Sequence, residues 1–190
     1  MKKHAIQDVK NIYYALVTAD DNGTITYAVP KLLYESEQID ISVNTSTIKK
    51  YTTGGTDVIN DFEGGQIVIK TYGMDNVTVA EVEGHEIDSN GVVIEKSDDD
   101  PPYVAIGFEA IKRNGESRFV WLLYCKKKHD NEEYTKKAEK TDPKSSTLTF
   151  EVTERADKQW KNVIDSDDTN APDDLRTKWF EKVYDGTAWA

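Results

Sequence analysis

Apolar and polar residues alternate over much of this chain with a period of two, that of a half-buried strand. Residues 11–18 are rich in Ile, Tyr and Val and read as a strand. Asp20-Asp21-Asn22-Gly23 follows. Asn-Gly between two β-like runs is a hairpin signal, because both residues tolerate positive φ. The return strand covers 24–29 and is stopped by Pro30. Over 38–43, Ile39, Ile41 and Val43 share one face. The strongest β signal is the pair 103–112 and 116–125 around Arg113-Asn114-Gly115. Both faces are apolar near its middle, so this hairpin is predicted at the centre of a sheet. Residues 66–72 and 91–95 read as further strands. Residues 132–139 and 146–155 read as a last pair, the first polar on both faces.

Other stretches break the period. Residues 44–65 are rich in Thr and Ser, carry Gly54-Gly55 and Gly64-Gly65, and hold only Ile48, Tyr51, Val58, Ile59 and Phe62 as large apolar residues. Loops of this length are uncommon in compact domains and are usually functional. An extended arm or a long, poorly filled hairpin is therefore expected across 43–66. Residues 77–82 fit helix and strand alike; Gly84 suits a helix C-cap, which favours a short helix. Residues 97–102 read as a loop and 165–171 as an acidic linker. Pro172-Asp173-Asp174 opens an expected C-terminal helix over 172–185, since Pro in the first turn and acids near the N-terminus favour that start. Leu175, Trp179, Phe180 and Val183 would form its docking stripe. The whole reads as a mainly β (α+β) fold in a single domain, 1–190, a usual domain length.

Composition narrows the partners. Apolar residues make up 37%, low enough for a subunit that completes its core on assembly, and equally for a loopy acidic monomer. The net charge of −11 disfavours non-specific attraction to nucleic acid or anionic membranes. Lys126, Lys127 and Lys128 are followed by Asp130, Glu132 and Glu133 and read as a solvated strand face. The single cysteine, Cys125, lies in an apolar run and reads as a small buried hydrophobe. No apolar h-region follows the first ten residues, and no stretch approaches the roughly 18 apolar residues of a membrane span. A cytosolic product with no membrane partner is expected.

Nothing in the pattern carries chemistry. His4, His85 and His129 are far apart with no nearby Cys, and His85, in a turn after Gly84, reads as a surface residue. There is no Gly-x-Ser-x-Gly and no phosphate-binding glycine loop. Asp165, Asp167, Asp168 and Asn170 faintly resemble a calcium loop, but Asn170 stands where its Gly belongs and Arg176 where its Glu belongs. No catalytic, metal or cofactor residue is nominated, and the chain reads as non-enzymatic. Aromatic residues on the strands, such as Tyr13, Phe119 and Trp121, are expected in the core. Trp160, Trp179, Phe180, Tyr184 and Trp189 crowd the C-terminal third, where interface roles compete with packing.

Several pieces occur in a familiar order: Asn11-Ile12-Tyr13-Tyr14-Ala15, Thr26-Tyr27, Asn44-Thr45-Ser46, then residues 102–110, Arg118-Phe119-Val120-Trp121-Leu122, Glu132-Glu133-Tyr134-Thr135-Lys136-Lys137, Gln159-Trp160 and Trp179-Phe180. This ordered set resembles the major tail (tail tube) proteins of siphophages, the phi13-type family, over nearly the whole chain. The resemblance implies a tail-tube β-sandwich with a flanking short helix, a long extended arm and a C-terminal helix, without an additional immunoglobulin-like domain. It implies hexameric rings stacked into a hollow tube through which DNA passes without specific binding. The implied partners are the chain itself, the tape-measure protein, the tail terminator and the distal tail proteins. The product would be made in the bacterial host cytoplasm and assembled in the virion tail. Thr52, Thr53, Asp57, Phe62, Tyr134, Trp179, Phe180 and Tyr184 are the expected interface residues. A tube protein of a phage-like injection system or bacteriocin is the nearest alternative. A monomeric carbohydrate-binding β-sandwich module is the alternative of another class.

Overall fold

The structure, a computed structural model, describes residues 5–21, 24–33, 36–73, 75–130, 146–184 and 186. Among these the chain is mainly β, with one large antiparallel sheet and few helices. At its centre are β8 (Tyr103–Lys112) and β9 (Ser117–Lys128), the hairpin expected from its apolar faces and Asn-Gly turn. β1 (Ile6–Asp21) flanks β8, and β2 (Thr24–Tyr27) and β3 (Lys31–Leu32) pair with β1. On the other side, β10 (Ser146–Val152) joins β9 to β5 (Gly55–Thr71), and β4 (Ser36–Thr52) closes the order. β11 (Lys161–Asp165), for which the sequence pattern predicted no strand, pairs with the first half of β9 and ends where the acidic linker was expected to begin. A small hairpin of β6 (Glu86–Ile87) and β7 (Val93–Ile94) stands apart.

Both faces of β8 and β9 are covered, which is why their sequence is apolar on both. One face carries Val104, Ile106, Val120 and Leu122, packed with Ile12, Ile67, Ile69 and Phe150 as the sheet curls back on itself. β1 and β4 approach each other in this curl. The second face carries Ala105, Phe119, Trp121 and Leu123. Gly107 sits opposite Trp121, and a Cβ there would lie 2.6 Å from the indole ring. Only glycine lets that ring lie flat across the strand pair.

The expected central helix is present as α1 (Asn76–Glu83). The Asp75 carboxylate accepts from the Thr78 amide at its start, and Gly84 ends it in the left-handed region at φ 77°. The expected C-terminal helix is much shorter. Regular helix is confined to α2 (Leu175–Lys178). The Trp179 carbonyl, which would otherwise serve a continuing helix, accepts a hydrogen bond from Trp121 Nε1 at 3.1 Å. Packing against β9 thus replaces helical continuation. The expected strand over 132–139 lies outside the described residues.

Candidate self-association surface

The stretch 44–65 is a hairpin, the more ordered of the two forms its composition allowed. β5 pairs with β10 only as far as Gly65, opposite Val152. Beyond a register shift between Val43 and Thr45, β4 and β5 pair solely with each other, from Thr45 opposite Phe62 to Thr52 opposite Gly55. At about 3.3 Å per residue the free part projects roughly 25 Å. The glycine pair at its root has a steric origin. Gly64 adopts φ 95°, and a Cβ on Gly65 would meet the Ser42 carbonyl at 2.5 Å. Only there can the two strands part from β10 so closely.

Both faces of the projecting part face solvent. Ile48, Tyr51 and Val58 are exposed, Tyr51 by 80%. The register puts Ile48 beside Ile59, with Lys50 and Asp57 on one side and Ser46 and Asp61 on the other. Val58 and Lys49 share the opposite face. β4 is also the last strand of the sheet, so its outer backbone groups are unpaired among the described residues. Exposed apolar side chains on an open edge are a template for pairing with another chain.

The nominated interface residues divide between hairpin and core. Thr53 and Asp57 lie at the exposed end of the hairpin, and Thr52 is paired opposite Gly55. Phe62 sits at the root, half-buried, stacked 4.8 Å from Trp160. Tyr134 lies outside the described residues. Trp179, Phe180 and Tyr184 pack into the chain's own second core. Trp179 is only 2% exposed. Phe180 stacks on Tyr13 at 4.5 Å and meets Phe119 and Trp121 edge-on, while Tyr184 stacks on Trp179. The apolar second face of β8 and β9 needs a cover, and the C-terminal segment supplies it.

Electrostatic partners depart further from the sequence reading. His85, read as a surface residue, has a side chain only 2% exposed. Its Nδ1 lies 2.7 Å from Asp99 and its Nε2 3.1 Å from Glu83. Burial works against its charge, yet the two carboxylates outweigh burial and hold its pKa above the usual histidine value. Lys127 is likewise buried rather than solvated, between Glu83 at 3.0 Å and Asp130 at 2.8 Å. Asp165 is bonded by Arg118 Nε at 2.7 Å and Nη2 at 2.9 Å and by Lys112 at 3.1 Å. Arg118, with Lys112 in support, holds its carboxyl below the ordinary range. Cys125 is fully buried, and burial pushes its thiol well above the usual range.

Among the described residues no cluster of three or more His, Cys, Asp or Glu could hold a metal ion, and no helix is long and apolar enough to cross a membrane. The sequence matches no protein-family model, and no curated protein matches it.

Proposed function

We propose that this chain is a structural subunit that polymerises with copies of itself, as the major tail protein of a siphophage tube. The observation that carries the reading is the projecting hairpin, exposed on both faces and ending the sheet in an open edge. A surface of this kind gains most from another chain. Contact between two different patches of one subunit is heterologous, and it closes into rings or runs on as a filament. A stacked-ring tube uses both outcomes. The net charge of −11 suits a channel along which DNA slides, since like charge disfavours adhesion to phosphate. The partners in this reading are further copies, with tape-measure, terminator and distal tail proteins at the ends.

Electron microscopy of the purified protein, concentrated and held for days at moderate salt, tests it. Rings or hollow tubes are expected. Deleting residues 52–62 should leave a folded monomer, because apart from the Phe62 ring on Trp160 that stretch pairs only within the hairpin. A wild-type protein that stays monomeric at every concentration and ionic strength, and binds a glycan through an exposed aromatic residue, would overturn the proposal in favour of a binding module.

A further inference from the structure

Where the sheet curls back, a cavity of about 230 Å³ opens between β1 and β4. Val9, Ile39, Ile41, Phe108 and Val120 line it, with Arg118 and Lys161 also in its wall. The volume is below the ~300–1,000 Å³ of ordinary small-molecule pockets and suits one or two side chains. The two cations differ. Arg118 is bonded to Asp165 through two nitrogens. Lys161 is half-buried, has no carboxylate partner among the described residues, and lies over the Trp160 ring, 5.6 Å from its centroid. Burial, with Arg118 nearby, pushes its pKa down. A half-buried ammonium over an apolar floor is a site that lacks an anion.

The free hairpin carries the complementary group. Asp61 is exposed, has no counter-ion among the described residues, and lies opposite Ser46, next to the exposed Ile48 and the half-buried Ile59. Asp57, by contrast, lies opposite Lys50. We infer that the β1–β4 cleft of one copy receives the Ile48–Ile59 face of a second copy's hairpin, with Asp61 placed against Lys161. This rests on the self-assembly reading above and names the two surfaces that meet. The surfaces are different patches of the molecule, so the contact repeats from copy to copy.

The test is a charge swap read by sedimentation and electron microscopy. Lys161→Glu and Asp61→Lys should each raise the concentration needed for assembly about tenfold or more, the usual scale for unpairing a desolvated charge. The double variant should recover to within about threefold of wild type. Mixed together, the two single variants should co-assemble in alternation, since both contacts between unlike copies are complementary and both contacts between like copies repel. Asp61→Lys lies on the exposed hairpin and should melt like wild type, which keeps the test independent of folding. Single variants that assemble normally, or a double variant no better than the singles, would overturn this contact while leaving the self-assembly reading intact. A wild-type protein that never assembles would overturn both.

Discussion

Gly107 and His85 show how one side chain, or the lack of one, can set local structure. At Gly107 the Trp121 ring occupies the place of a side chain. Gly107→Ala should therefore destabilise by about 1–3 kcal/mol, the usual cost of overpacking, and lower the urea midpoint without changing its slope. His85 ties the end of α1 to the 96–100 loop through Asp99. Its folded pKa is raised above the unfolded value. The stabilisation is then full below the unfolded pKa of about 6.5 and is lost as pH rises through the folded pKa. The stability gap between wild type and His85→Gln should be largest near pH 5–6 and shrink towards pH 9, measured by denaturant unfolding at each pH. A gap that grows with pH would mean that the imidazole is not held charged.

At the scale of elements, the hairpin and the C-terminal segment have opposite fates. The hairpin beyond Thr45 buries little, so its amides should exchange with solvent orders of magnitude faster than those of β8 and β9. Assembly should slow that exchange. The C-terminal segment is instead part of the core. Trp179→Ala should cost about 3–5 kcal/mol and expose Trp121, seen as a red shift of the native fluorescence. The shortness of α2 follows from the same packing. The apolar stripe was visible in the sequence, but the side chain that takes the Trp179 carbonyl comes from β9, 58 residues away.

For the whole molecule, charge opposes association. A subunit with net charge −11 repels its copies over the Debye length, roughly 30 Å at 0.01 M salt and 8 Å at 0.15 M. Raising the salt over that range should lower the concentration at which polymers form. The Asp61–Lys161 pair, partly desolvated, should be screened less than the overall repulsion. A protein that polymerises best at the lowest salt would place attraction between surface charges, rather than apolar contact, in command.

The sequence by itself determined the strands with period two, the Asn-Gly turn of the central hairpin, the Gly84 cap and the burial of Cys125. Each depends on neighbours a few residues away. It also marked 44–65 as unusual, because paired glycines and sparse apolar residues are local properties. Tertiary structure decided what long-range contact controls. β11 was hidden because Lys161-Asn162-Val163-Ile164-Asp165 becomes a strand only by lying along β9. His85 and Lys127 look like surface residues until Glu83, Asp99 and Asp130 are brought to them. The aromatic residues near the C-terminus could serve a partner or a core; Trp179, Phe180 and Tyr184 pack, with Ile164 and Ala171, over the apolar second face of β8 and β9. The hairpin was left exposed for the converse reason: beyond Gly65 no other strand among the described residues lies beside it.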